Sequence, residues 1–166
     1  MSQLLERFLS RKGSRRRAVV DDAGEHSYGD VVDMAVAVAN ALSLAKGERV
    51  AILVHPSADF IGALFGVLLA GGCVVVLSPL HPEPETRFFC SDAGVRSVLY
   101  SEPMRALATP LSSTCKIQSI EDLFETTIAA PRRPSLVDES SPALQLYTSG
   151  TTGKPKGAVL THANIG

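Results

Sequence analysis

Eleven consecutive residues hold this chain's densest set of anion-binding groups: Tyr147-Thr148-Ser149-Gly150-Thr151-Thr152-Gly153-Lys154-Pro155-Lys156-Gly157. They include three glycines, four Ser/Thr hydroxyls and two lysines. Glycines let the backbone approach an anion and reach φ > 0 at little steric cost. Successive backbone N–H groups in such turns form anion-binding concavities. Hydroxyls donate to phosphate oxygens, and ammonium groups supply charge. The chemistry this combination suits is the holding of a phosphate chain.

The common P-loop, G-x-x-x-x-G-K-[ST] leading into a helix, does not fit. Gly150 and Gly153 are three apart, and Pro155 stands where the magnesium-binding hydroxyl belongs. The residues that follow Gly157, Ala158-Val159-Leu160-Thr161, read as a strand. A flexible Gly/Ser/Thr linker fits no better, because apolar strand-like runs flank the segment, Ala143–Tyr147 before it and Ala158–Leu160 after it. What remains is strand, glycine-hydroxyl loop, strand.

From Tyr147 through Gly157 and on into Leu160-Thr161-His162-Ala163-Asn164, the string closely resembles the phosphate-loop signature of AMP-forming adenylating enzymes. That family includes acyl-CoA synthetases, firefly luciferases and the adenylation domains of peptide synthetases. The resemblance extends upstream. His26-Ser27-Tyr28-Gly29-Asp30 looks like the opening of the family's first long helix, and Gly47–Ile52 is similar to the strand entry after it. Gly66–Pro79 looks like its helix–glycine–strand segment, with Leu69 and Val76 where a lysine and a proline are usual. Pro56–Phe60 and Gly71–Val74 look more like the acyl-CoA branch, malonyl-CoA synthetases included, than like peptide-synthetase domains.

The resemblance implies ATP-dependent activation of a carboxylic acid to an acyl-adenylate, then transfer to a thiol, often that of coenzyme A. By motif position, Thr148, Ser149, Gly150, Thr151, Thr152, Gly153, Lys154 and Lys156 would hold the β- and γ-phosphates of ATP. Their role would be electrostatic, neutralising the departing pyrophosphate. His162 and Asn164 are candidates for the acyl pocket, though a solvated cap on the next helix is the favoured reading. Family members are several times longer than 166 residues. Their adenine and ribose contacts, their Mg2+-binding acid and the C-terminal domain with its adenylation lysine lie downstream of this loop. Residues 1–166 are therefore expected to be the N-terminal part of an AMP-binding large domain, with no catalytic or metal-ligating residue of the family. The other reading is an inactive remnant that at most binds nucleotide phosphate. The expected partner is the missing C-terminal part, or a second copy associating through exposed apolar surface.

Bulk properties narrow the class. A chain that is 45% hydrophobic and 20% charged is an ordinary globular protein. A net charge of −1 and the absence of Trp argue against nucleic acid as a partner. Cys73, Cys90 and Cys115 form no CxxC, and three thiols cannot all pair. Reduced cysteines point to the cytoplasm. The four histidines lack metal-ligand spacing. The basic start, with Arg7, Arg11, Lys12, Arg15, Arg16 and Arg17, offers an organellar targeting segment as the alternative. Glu6 breaks that pattern, and a short helix with Leu4, Leu5, Phe8 and Leu9 on one face, then a solvated basic loop, is favoured. Phe60–Leu77 carries no charge over eighteen residues. Gly71-Gly72 splits it into a helix former and a β-branched run, so helix then buried strand is preferred to a membrane span.

The elements that must position the loop follow. Ser27 and Asp30 form a capping-box pattern ahead of an amphipathic helix from about Tyr28 to Leu44. Arg49–Val54 reads as a strand, Ser57 as the cap of a helix Ala58–Ala70, and Cys73–Leu77 as a strand. Pro82 and Pro84 open a helix to Asp92, closed by Gly94. Val95–Tyr100 is a strand, Pro103–Ala108 a short helix, Lys116–Ile120 a strand, Glu121–Thr126 a helical turn and Ala129–Pro142 a loop. Alternating helices and continuous apolar strands predict an α/β fold with a mainly parallel sheet flanked by helices. A phosphate loop then falls where open sheets bind ligands.

Overall fold

Apolar runs of four or five residues, separated by amphipathic segments, assemble here into an α/β sandwich. The computed structural model describes residues 1–126, 137–148 and 155–166. The chain runs α1 (Gln3–Leu9), β1 (Arg17–Asp21), β2 (Gly24–Ser27), α2 (Tyr28–Ala41), β3 (Arg49–Leu53), α3 (Ala58–Leu69) and β4 (Cys73–Val76). It continues through α4 (Glu83–Ala93), β5 (Ser97–Tyr100), α5 (Arg105–Ala108), β6 (Lys116–Ser119), α6 (Ile120–Thr126), β7 (Pro142–Thr148), β8 (Lys156–Thr161) and α7 (His162–Ile165). Two 3-10 turns, Glu102–Met104 and Thr109–Ser113, flank α5.

Strands β6-β5-β3-β4-β7-β8 form one six-stranded sheet in that order. Every pairing is parallel except β7–β8, which is antiparallel. The side-chain period of two divides the strands between two cores. Val50, Ile52, Val74 and Leu99 pack with residues of α1, α2, α3 and α6. Ala51, Leu53, Val75 and Val98 pack with Phe89, Cys90 and Ala93 of α4 and with Ala108 of α5. Burial on both faces is why these strands read as unbroken apolar runs rather than as alternating ones.

Local sequence explains most boundaries. Ser27 and Asp30 make the reciprocal capping box, Asp30 N–H to Ser27 Oγ at 3.2 Å and Ser27 N–H to Asp30 Oδ2 at 2.8 Å. Gly94, at φ +67°, ends α4 in the left-handed conformation. Phe60–Leu77 resolves into α3, a turn at Gly71-Gly72, and β4. Among the described residues no helix is long and apolar enough to cross a membrane. Gly62 and Gly66 let α3 lie close against α2, since a Cβ on Gly66 would stand 2.5 Å from Val38 Cβ.

Three local expectations are corrected. The basic stretch enters a hairpin, β1 pairing antiparallel with β2, while Arg15, Arg16 and Arg17 stay exposed. Helix α2 stops at Ala41, because Leu42 turns extended and buries its side chain. Ser57 makes no side-chain cap on α3. Its hydroxyl donates to the His55 carbonyl, and Asp21 Oδ2 accepts the Ala58 N–H instead. The apolar face of α1 docks as expected, with Leu5 buried and Phe8 stacked on Phe65 at 3.8 Å between ring centroids.

Candidate phosphate-binding site

Strand β7 runs parallel to β4, with Val74 opposite Leu144 and Val75 opposite Gln145. Its carboxyl end therefore points the same way as those of β3, β4 and β5. Strand β8 returns antiparallel, Tyr147 opposite Gly157 and Thr148 opposite Lys156. The connection between them thus springs from the carboxyl edge of the sheet, the edge at which open α/β sheets bind ligands.

Of the eight residues expected to touch phosphate, Thr148 and Lys156 are described. Both are exposed, and they form the last pair of the β7–β8 ladder. A hydroxyl-bearing and an ammonium-bearing residue therefore meet at one point of the carboxyl edge. Ser149, Gly150, Thr151, Thr152, Gly153 and Lys154 lie outside the described residues.

Behind this pair runs a line of polar contacts. Arg49 Nε donates to Gln145 Oε1 at 2.8 Å, and Gln145 Nε2 donates to Tyr147 Oη at 3.1 Å. Tyr147 Oη donates to Asp92 Oδ2 at 2.6 Å, with the Phe89 carbonyl a longer acceptor at 3.3 Å. The Tyr147 ring stacks on Phe89 at 4.3 Å and 18°. Burial pushes the Tyr147 phenol up, and the hydrogen bond to Asp92 pushes it further. A Cβ on Gly157 would come within 2.5 Å of Gln145 Nε2. The signal for this line was a glutamine inside the apolar run Ala143-Leu144-Gln145-Leu146, which sequence reasoning passed over.

His162 and Asn164 sit at the other end of β8. Pro142 pairs with Thr161, so these residues lie at the amino edge of β7, roughly 20 Å from the loop's base at 3.3–3.4 Å per residue. Asn164 is exposed and caps α7, its Oδ1 accepting Thr161 N–H and Oγ1–H, each at 2.9 Å. His162 is fully buried. Its Nδ1 lies 3.0 Å from Ser2 Oγ, and its Nε2 has no hydrogen-bond partner among the described residues. Burial pushes the His162 pKa down, against the opposing pull of Glu139 and Asp138.

A hollow of about 220 Å³ opens beyond β3 and β5, lined in part by Asp21, His26, His55, Asp59 and Glu121. Burial pushes the Asp59 carboxyl up, and the charges of Glu121 and Asp21 add to it. Asp21, Asp59 and Glu121 give this hollow an acidic lining. Among the described residues no group of three or more His, Cys, Asp or Glu is placed to hold a metal ion.

A family model described as AMP-binding enzyme matches residues 5–166. The chain belongs to the AMP-binding enzyme family. Members of this adenylate-forming family similar to it fall in two branches. The malonate–CoA ligase of Arabidopsis thaliana is 34% identical over 133 residues, 72% of this chain and 22% of that protein. Surfactin synthase subunit 3 of Bacillus subtilis (strain 168) is 34% identical over 120 residues, 72% of this chain and 9% of that protein. Among solved family structures, ATP-bound MatB from Rhodopseudomonas palustris matches with a TM-score of 0.81 at 26% identity, over 96% of this chain and 34% of that one. The N-terminal domain of FACL13 from Mycobacterium tuberculosis, bound to an inhibitor, matches with a TM-score of 0.81 at 27% identity, over 96% and 43%. The chain spans under a quarter of the length of these two curated relatives.

Proposed function

We propose that this chain supplies the phosphate-holding part of an AMP-forming acid–thiol ligase, with coenzyme A as the thiol. The overall chemistry would be attack of a carboxylate oxygen on the α-phosphorus of ATP, breaking the bond to pyrophosphate. The thiol then displaces AMP from the acyl carbon. The observation that carries the reading is the Thr148–Lys156 pair at the root of the signature loop, on the carboxyl edge of a parallel sheet. Thr148 would donate a hydroxyl and Lys156 a charge to the β- and γ-phosphates, with Ser149, Gly150, Thr151, Thr152, Gly153 and Lys154 between them. Stabilising the charge that develops on departing pyrophosphate is the kind of term that dominates such catalysis. The relative named malonate–CoA ligase supports the CoA branch, and the resemblance of Gly71–Val74 points the same way.

We assign no acyl contact to His162 or Asn164, which stand at the opposite edge of the sheet from the Thr148–Lys156 pair. The magnesium-binding acid and the adenylation lysine would come from the rest of a full-length enzyme. The reading is tested by titrating the chain with inorganic tripolyphosphate, calorimetrically. Wild type is expected to bind, and Lys156→Ala to weaken binding roughly tenfold, the order of one charge-assisted hydrogen bond. Pyrophosphate exchange by this chain alone is expected to stay at background with any carboxylate. Exchange above background would overturn the view that it is one part of the catalytic unit, and no binding of tripolyphosphate would overturn the phosphate role.

A further inference from the structure

We infer that Gln145, with Tyr147 and Asp92, is a positioning clamp that fixes both roots of the phosphate loop in one geometry; this rests on the proposed phosphate role. The loop leaves β7 after Thr148 and rejoins the sheet at Lys156. Its bite is therefore set by where Tyr147 and Gly157, the next pair inward, are held.

One side chain touches both. Gln145 Nε2 donates to Tyr147 Oη on its own strand, and the same nitrogen fills the space where a Cβ of residue 157 would project from β8. Gln145 is 5% exposed, and its other amide end is taken by Arg49 Nε from β3. Both ends of the amide are thus held, which fixes its rotamer and its flip. Tyr147 is held from the other side by Asp92 and by the Phe89 ring, both on α4. Tyr147, the residue that precedes Thr148, is thus held directly by β7 and α4 and, through Gln145, by β3, and glycine at 157 lets β8 close onto them. A site that stabilises developing charge gains from donors that need no reorganisation, so rigidity at the loop's base serves phosphate binding directly.

Two variants separate this role from ordinary packing. Gln145→Met keeps length and volume but removes both hydrogen bonds. Tyr147→Phe keeps the stack on Phe89 and removes the hydroxyl. Amide hydrogen exchange at Thr148, Lys156 and Gly157 and tripolyphosphate affinity are read together with Tm. The clamp predicts faster exchange at those three amides and roughly fivefold or greater loss of affinity, with exchange in β3 and β5 unchanged. Asp92→Asn, which keeps an acceptor for the Tyr147 hydroxyl, stays near wild type, whereas Asp92→Ala follows Tyr147→Phe. Unchanged exchange and affinity in Gln145→Met and Tyr147→Phe overturn the clamp and leave the phosphate role standing. Wild type that binds no tripolyphosphate overturns the phosphate role, and the exchange measurement then decides the clamp by itself. If Gln145→Met does not fold, the Tyr147→Phe and Asp92 variants carry the test.

Discussion

Asp21 Oδ2 accepts the Ala58 N–H at 2.9 Å, so a residue from the β1–β2 hairpin caps α3 across 37 positions of sequence. The same carboxylate takes His26 Nε2 at 3.0 Å and the Ala23 N–H at 2.9 Å through Oδ1. Asp21→Ala is expected to lower Tm measurably, while Ser57→Ala leaves it near wild type. The Ala58 N–H, more than His26, holds the Asp21 carboxyl below its ordinary range. A depressed folded pKa stabilises above the unfolded value, and that stability is lost as pH falls through the folded pKa, below about 4. Thermal melts of both variants from pH 3 to 7 check this. Equal losses from Asp21→Ala and Ser57→Ala would refute it.

Gly66 makes the α2–α3 packing intolerant of a methyl group. Its added Cβ would meet Val38 Cβ at 2.5 Å and the Ala35 carbonyl oxygen at 2.9 Å. Neither is the end of a flexible side chain, so the helices must part. Gly66→Ala should cost about 1–3 kcal/mol in urea denaturation, despite alanine's better helix propensity. Val38→Ala should not rescue it, because the Cβ that clashes remains. A stabilised Gly66→Ala protein would contradict the packing argument.

The three thiols should be silent in the native state. Cys73, Cys90 and Cys115 are buried and unpaired. Burial raises the Cys73 pKa, and burial, then the Cys115 thiol, pushes Cys90 up to about 12. The thiolate is the nucleophile, so labelling by a thiol-specific disulfide reagent at pH 8 should be slow until denaturant is added. Three fast equivalents without denaturant would show that the α4 side of the sheet is open.

His162 should make stability fall on mild acidification. Its folded pKa is depressed by burial, so the unfolded state binds the extra proton first. Stability then decreases as pH drops below about 6.5, the ordinary histidine value. His162→Gln removes that titration. The gap in unfolding free energy between wild type and variant should narrow from pH 7 to pH 5. A constant gap would show that His162 does not titrate differently in the two states.

The parallel core was legible because burial on both faces leaves an unmistakable trace, as in Val50–Leu53 and Cys73–Val76. Caps made locally were legible too, as with Ser27 and Asp30, three residues apart. What failed were interactions closed through space. Ser57 has the right chemistry at the right place, but the Ala58 N–H already has a better acceptor in Asp21. The hairpin was hidden because Arg15-Arg16-Arg17 dominates the reading of its first strand, although Asp22-Ala23-Gly24 is a turn signal. At the loop, residue types identified the family and the two strands that flank it. The line from Arg49 to Asp92 shows in sequence only as Gln145 within an apolar run; its partners on β3 and α4 were not readable. Nothing near His162 in sequence announces Ser2.

That contact between Ser2 and His162 spans 160 positions. A ribosome adds roughly 5–20 residues per second, so the first partner waits about 8–32 s for the second to be made. Over that interval α1 can stack Phe8 on Phe65, but the seat for its first turn does not yet exist. The earliest-made helix is thus locked only after β8 and α7 have been made, and until then its apolar face is a surface that a holding chaperone could cover.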